Sequence, residues 1–481
     1  MAIIVDKFTL LRYNEFEITE NKFIIGVIMF IGRQQELKAI GQVLAKPYGS
    51  VLVYGKRKIG KTTLILEALK NNSDRTVYYE CLKTSLQENI DGFVSALVNT
   101  AVLPVKMKFE SFQDVFQYLN SLEQTFNIII DEYPYLKQFA KSETVDSVFQ
   151  TIIDNHLSNI RLFLSGSHVG MMKDLLGEKN ALYGRFSLII KLKELDYREA
   201  AAFYQNKNAY EKVAFYSVFG GSPFVNEQLD AAADLRQNII RTLLNPLSSI
   251  YTYAENLLIS DLTGSINAER IFFAIGNGKK KYGEIESKLG LSNNGLLSKQ
   301  LKNLLEMDML AKIYPINKAD DNKKVSYELT DNLLRFWYAY IYKNKGALQM
   351  LGAEAFYENY IASSLVNFIS HRFEDIVKTY FSLQVKEGKR NGILHIGTYY
   401  YDDSIRRMNG EFDVVLQKQD CYDIYEVKYL TTPLTENAMH AEENQIKAIQ
   451  GINIGRIGFV CVNGFEKILS EYECIDGDML Y

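Results

Sequence analysis

The stretch Val51-Leu-Val-Tyr-Gly-Lys-Arg-Lys-Ile-Gly-Lys-Thr-Thr63 narrows what this 481-residue chain can fold into more than any other. An apolar run from Val51 to Tyr54 predicts a buried strand, and Thr63 to Leu69 predicts a helix. The loop between them carries Gly55 and then Gly60-Lys61-Thr62, the spacing at which a loop wraps phosphates. Glycine at both ends lets backbone N–H groups turn toward the phosphates, and the helix N-terminus adds its positive end. Lys61 then reaches the β- and γ-phosphates, the Thr62 hydroxyl sits on Mg²⁺, and Thr63 joins the nucleotide-binding set. A fortuitous match has no reason to lie between a strand and a helix. The expectation is an α/β fold with a parallel P-loop sheet that binds ATP and Mg²⁺.

A chain of this length exceeds one core, so several domains are expected. Its 47% hydrophobic and 23% charged content is that of a soluble globular protein. The formal charge of −4 gives no global attraction to nucleic acid, which leaves only a local patch. Cys81, Cys421, Cys461 and Cys474 show neither paired ligand spacing nor a disulfide-dense framework. A reducing, cytoplasmic compartment is expected, and structural zinc is not. No run approaches 18 apolar residues, so neither a membrane span nor a membrane partner is expected. Residues 1–28 read as an N-terminal extension, either a short hairpin or an upstream segment.

The P-loop domain is expected over 29–192. Gln34 to Leu44 has helical spacing and lies either near an adenine or simply over a sheet edge. Thr76 to Tyr79 predicts a second strand, and Phe126-Asn-Ile-Ile-Ile-Asp131-Glu132 a buried one ending in two carboxylates. In parallel sheets ligands bind at that carboxyl end. Asp131 is placed to hold Mg²⁺ through water and Glu132 to polarise the attacking water, unless the pair merely caps the strand. Ile160 to Leu164 is a further strand, running into Ser165-Gly-Ser167, with Ser167 favoured over Ser165 as the γ-phosphate or water contact. Arg185 precedes a fifth strand at Phe186 to Ile190; it is either a finger toward a neighbour's γ-phosphate or a solvated arginine.

Residues 193–265 read as a helical lid broken at Gly220-Gly-Ser-Pro223, a hinge or a helix start. Over 266–350, helical patterns at Ile271–Ile275, Tyr282–Leu289 and Ser292–Met307 precede a hairpin of Leu310–Pro315 and Lys323–Leu329. That is the pattern of a winged helix-turn-helix, whose third helix enters a major groove. Residues 269–316 carry eight Lys or Arg against five Asp or Glu, so double-stranded DNA is the expected partner if the module is not purely structural. The aromatic-rich segment Asp331 to Tyr342 reads as core.

The last domain, 351–481, holds a second constellation. Glu374 lies in a helical pattern, and Glu411 to Leu416 and Tyr422 to Lys428 read as adjacent strands. Period-two alternation pairs Glu411 with Asp413 on one face, and Glu426 with Lys428 on one face. Asp413 and Glu426, helped by Glu374, could share a hard divalent cation, with Lys428 near the developing phosphate charge and Gln445 at the substrate backbone. Ordinary cross-strand Lys–Glu pairing is the alternative. Residues 373–481 hold eighteen acids against eleven Lys and Arg, a poor surface for a polyanion without metal or another domain.

Phe30-Ile-Gly-Arg33, Gly55 to Thr62, Ile130-Asp-Glu-Tyr-Pro134, Leu164-Ser-Gly-Ser167, Tyr183-Gly-Arg185 and Gly220-Gly-Ser-Pro223 together resemble the archaeal and bacterial ATPase family of the AAA+/STAND-like P-loop class. The resemblance implies ATP, Mg²⁺ and DNA, and counts Arg33 among the nucleotide-binding residues. In that family a C-terminal region follows the winged helix and is similar to restriction-endonuclease-like PD-(D/E)xK domains. Glu374, Asp413, Glu426 and Lys428 match it here, while Glu411-Phe412 stands where a proline is usual. AAA+ relatives are often oligomers and STAND-like relatives switch states, so the resemblance leaves a homo-oligomer or a partner protein open. Two functions follow: an ATP-regulated DNA-processing enzyme, or a nucleotide-controlled switch whose last domain only binds.

Overall fold

Gly49–Tyr54 forms β1, and all six residues are buried, as a strand covered on both faces requires. Around it stand β2 (Arg75–Glu80), β3 (Phe126–Asp131), β4 (Ile160–Gly166) and β5 (Leu188–Lys191), all parallel, in the order β2-β3-β4-β1-β5. The structure is a computed structural model describing residues 30–138, 142–261, 268–276, 278–290, 295–318, 321, 323–403 and 408–481. The expected extension at 1–28 and the start of the third winged-helix helix at Ser292 lie outside the described residues. With β4 between β1 and β3, the phosphate loop, Asp131 and Ser165 meet at the carboxyl edge of the sheet.

Helices α1 (Gln34–Leu44), α2 (Lys61–Leu69), α3 (Leu86–Asn99), α4 (Phe112–Ser121), α5 (Ser142–Asn155) and α6 (Val169–Asp174) accompany this sheet. Ser85 and Glu88 close a capping box that starts α3, and Ser111 caps α4. Phe93, Phe112, Phe116 and Phe149 pack with the alternate strand residues Leu52, Ile128, Ile130 and Leu164.

The lid holds α7 (Ala209–Phe219), α8 (Leu235–Thr242) and α9 (Ser249–Asp261). A winged-helix-like region follows: α10 (Ala268–Ile275), α11 (Tyr282–Leu289), α12 (Leu296–Glu306), and an antiparallel sheet of β6 (Lys280–Lys281), β7 (Leu310–Ile313) and β8 (Ser326–Leu329). Then come α13 (Asn332–Phe336), a π-helical turn at Trp337–Ile341, α14 (Lys345–Tyr360) with a kink at Gly352, and α15 (Leu365–Lys386). Phe336 and Trp337 are fully buried, as the aromatic pattern predicts for core.

The second sheet has β9 (His395–Asp403), β10 (Met408–Gln417), β11 (Tyr422–Lys428), β12 (Ile454–Cys461) and β13 (Glu473–Asp476), with α16 (Glu436–Ala448) between β11 and β12. Strands β9, β10 and β11 are antiparallel, whereas β11, β12 and β13 run parallel. One apolar cluster runs from Tyr197 and Phe215 through Phe272, Trp337 and Phe373 to Val414, Val460 and Leu480. Lid, winged helix, α15 and one face of the second sheet therefore share a core, while α16 covers the other face through Met439 and Ile446. Among the described residues no helix is long and apolar enough to cross a membrane.

Candidate functional site

The phosphate loop is built from two glycines used differently. At Gly55 a Cβ would stand 2.3 Å from the carbonyl oxygen of Leu192, so the loop and the chain after β5 touch only because the side chain is absent. Gly60 has φ 89°, the left-handed conformation that opens the N-terminus of α2. Lys61 is buried, and its Nζ donates to the carbonyl oxygens of Gly55 and Lys56 at 3.1 and 2.9 Å. A cavity of about 380 Å³ faces them, lined by Gly60, Lys61, Thr62, Thr63, Asp131 and Glu132 with Arg57, Lys58, Tyr78, Glu80 and Tyr135.

Asp131 organises the acidic wall. Thr62 Oγ1 donates to its Oδ2 at 2.6 Å, Tyr78 OH to the same oxygen at 3.0 Å, and Ser165 Oγ to its Oδ1 at 2.5 Å. Burial first, then the charge of Asp131, raises the Tyr78 phenol above its ordinary range, so it stays a donor. The Glu80 carboxyl is raised by burial and then by Asp131 and Glu132, the crowding that a cation relieves. A hydroxyl and a carboxylate oxygen held together are hard ligands of the kind Mg²⁺ takes, so Thr62 and Asp131 fit that ion. Glu132 follows with φ 50°, and both the N–H and the hydroxyl of Ser167 donate to its Oε2, at 3.1 and 2.9 Å. Ser165 and Ser167 thus divide the two acids between them.

Three basic residues inside the loop, which the motif does not assign, leave it in different directions. Lys56 Nζ donates to Thr330 Oγ1 at 3.1 Å and pairs with Glu194 at 3.7 Å and Asp331 at 3.9 Å. Arg57 bonds Tyr135 OH and Ser167 Oγ at 2.7 and 3.3 Å. Lys58 Nζ lies 3.5 Å from the Phe224 ring centroid, and its carbonyl accepts from Ser222 Oγ at 3.2 Å. Gly220-Gly-Ser-Pro223 is thereby docked on the loop, with Pro223 starting a helical turn. The signal in the sequence was Lys56-Arg57-Lys58 itself, three like charges in one loop. For Lys56 those partners, Thr330 and Asp331, lie in a different region of the chain, beyond local pattern.

Two other expected residues lie outside the cavity. Arg33 donates its N–H to Glu199 Oε1 at 2.8 Å and its guanidinium to the Lys193 carbonyl, tying α1 to the chain after β5. Arg185 forks onto both oxygens of Asp154 at 3.1 Å, and its carbonyl accepts from Ser50 Oγ at 2.8 Å. Ser50 is the second residue of β1, at the end remote from the phosphate loop.

In the second sheet, Val414 stands opposite Tyr425, so continuing the register one step sets Asp413 opposite Glu426. The Asp413 carboxyl is raised to about 6, by burial first and then by the charges of Glu374 and Glu426. Two of the neighbouring acids, Glu426 and Glu411, are each paired with a lysine. Lys428 Nζ lies 2.8 Å from Glu426 and 2.7 Å from Glu442, and Lys279 of the winged-helix region bonds Glu411. Among the described residues no three His, Cys, Asp or Glu side chains stand close enough to hold a metal. Glu374, Asp413 and Glu426, expected as a shared ligand set, do not form one coordination shell. Gln445 is exposed on α16.

Residues 30–229 match a family profile described as an ATPase domain predominantly from Archaea, and residues 337–445 one described as archaeal and bacterial proteins of unknown function. An uncharacterised protein of Methanocaldococcus jannaschii is 28% identical over 326 residues, covering 67% of this chain and 71% of that protein. Among solved structures, the Walker-type ATPase of Pyrococcus abyssi is 16% identical with a TM-score of 0.48, covering 64% of this chain and 96% of its own. The ORC2 protein of Aeropyrum pernix is 12% identical with a TM-score of 0.44, covering 70% and 97%. The chain joins a P-loop domain, which matches the ATPase profile and has a five-stranded parallel sheet, to a helical lid, a winged-helix-like region and a distinct C-terminal α/β sheet.

Proposed function

We propose that this protein binds and hydrolyses ATP and that its nucleotide state sets the position of the winged-helix region, which binds double-stranded DNA. Lys56 carries the reading: a side chain of the phosphate loop itself is bonded to Thr330 and paired with Asp331, at the end of the hairpin. Lys61 rests on the Lys56 carbonyl, so a phosphate that draws Lys61 away alters the loop segment that Lys56 belongs to. Asp308, at the start of the hairpin, pairs with Lys191 and Lys173 of the ATPase domain at 2.5 and 3.3 Å. The Asp308 pairs, ionic and about a third exposed, exchange readily for water.

Within the cavity, Lys61 and the loop N–H groups bind the phosphates, and Glu132, held by Ser167, takes the proton of the attacking water. Mg²⁺ at Thr62 and Asp131 supplies charge neutralisation at the phosphates when bound. Anisotropy of a labelled DNA duplex with ADP or ATPγS tests the proposal. The affinity should differ between the two nucleotides for the wild type and not for Lys61→Ala; equal affinities for the wild type contradict it.

A second reading has one observation in favour: burial and neighbouring acids crowd Asp413, which a divalent cation would relieve. Under it the C-terminal sheet is a metal-dependent nuclease, and Glu426 must be freed from Lys428 to act. Calorimetric titration of the full chain with Mn²⁺ decides it. Loss of a binding event in Asp413→Ala is expected, and identical curves end the reading.

A further inference from the structure

We propose that Arg57 supplies, within its own chain, the positive charge at the γ-phosphate and fixes the carboxylate that directs water. The inference rests on the hydrolysis reading above. Arg57 lines the same cavity as Lys61, Thr62 and Glu132. Its Nη2 donates to Tyr135 OH at 2.7 Å and its Nε to Ser167 Oγ at 3.3 Å, while the Ser167 hydroxyl and N–H both bond Glu132 Oε2. A bonded chain therefore runs from the guanidinium to the acid. Glu132 occupies a left-handed conformation at φ 50°, which costs a non-glycine residue about 1 kcal/mol, so its placement depends on such partners.

Arginine suits this position because its guanidinium is planar, permanently charged and can hold two partners while facing a third. In the reaction the water oxygen bonds to the γ-phosphorus and the bond from that phosphorus to the β–γ bridging oxygen breaks. The electron pair leaves on ADP, and the water's proton passes to Glu132. Charge shifts toward the bridging and equatorial oxygens, which is where a guanidinium inside the cavity stabilises it. Arg185 cannot serve its own site in this way. It sits beside Ser50 near the start of β1, and five steps at about 3.3 Å each separate Ser50 from Gly55 of the phosphate loop by roughly 16 Å.

The test uses the full chain and measures ADP affinity, ATPγS affinity and ATP turnover for the wild type, Arg57→Ala and Arg57→Lys. Arg57→Ala should bind ADP about as the wild type does and lose roughly tenfold of its preference for ATPγS over ADP. Its turnover should fall by ~10³ or more, the scale of an arginine that meets the γ-phosphate. Arg57→Lys, which keeps the charge, should recover part of both and shows that the alanine variant's loss is not misfolding. A wild type without turnover defeats the hydrolysis reading, yet the affinity ratio still judges Arg57. An unchanged ratio in Arg57→Ala overturns the proposal. So does recovery of turnover on mixing Arg57→Ala with Lys61→Ala, since a residue acting in its own chain cannot rescue a neighbour.

Discussion

Lys61 in this structure is a charge already stored beside two carbonyl oxygens, so incoming phosphates replace acceptors that are in place. Lys61→Ala should abolish or greatly weaken ATP binding, because its ammonium is the charge that the motif brings to the β- and γ-phosphates. Glu132→Gln should bind a fluorescent ATP analogue as the wild type does and lose turnover by ~10²–10⁴-fold, the usual worth of a general base. Normal turnover in Glu132→Gln would remove that residue from the role. Type and spacing in the sequence singled out Lys61, Thr62, Asp131 and Glu132, and the fold lines one cavity with all four. Arg57 escaped that reading because a motif treats the residues between its glycines as arbitrary, and only the fold brings Ser167 and Tyr135 to it.

At the scale of elements, the turn after β5 meets the start of α13 through Glu194, Asp331 and Lys56. Burial first, and the charge of Asp331 second, raises the Glu194 carboxyl to about 8, while Lys56 and the Gly221 N–H oppose the shift. The folded chain therefore holds a proton that the unfolded chain releases near pH ~4.3, and stability falls as pH rises from there through about 8. Glu194→Gln keeps the neutral form at every pH. Its unfolding free energy from urea titration should gain on the wild type between pH 5 and 9, by roughly 1–2 kcal/mol after allowance for partial exposure. A difference that stays constant with pH contradicts this account. The strong apolar runs predicted β1, β3, β4, β10 and β11 well, because burial on both faces or clean alternation leaves a mark. Strands β9, β12 and β13 left none that the sequence reading used: β9 is rich in half-exposed tyrosines and β13 has only four residues. Glu374, Asp413, Glu426 and Lys428 were placed on the expected helix and strands, yet the lysine partners Glu442 and Lys279 come from elements that the D…ExK pattern does not include.

Over the whole molecule, one apolar core joins lid, winged helix and second sheet, whereas the winged helix meets the phosphate loop through lysines and acids. Charged contacts between that region and the phosphate loop are suited to respond to phosphate charge. Arg185 enters only in an assembly of several copies: if it reaches a neighbour's nucleotide, Arg185→Ala mixed with Lys61→Ala should regain turnover, and an active monomer in sedimentation would end that role. The central claim is that Lys56 carries phosphate occupancy to the winged helix. Amide hydrogen exchange over Leu310–Leu329, with and without ATPγS, measures it in the wild type and in Lys56→Met. The wild type should change its protection in the hairpin when ATPγS binds, and Lys56→Met should bind ATPγS with similar affinity and show no change there. A Lys56→Met protein whose hairpin still responds as the wild type does would contradict the account.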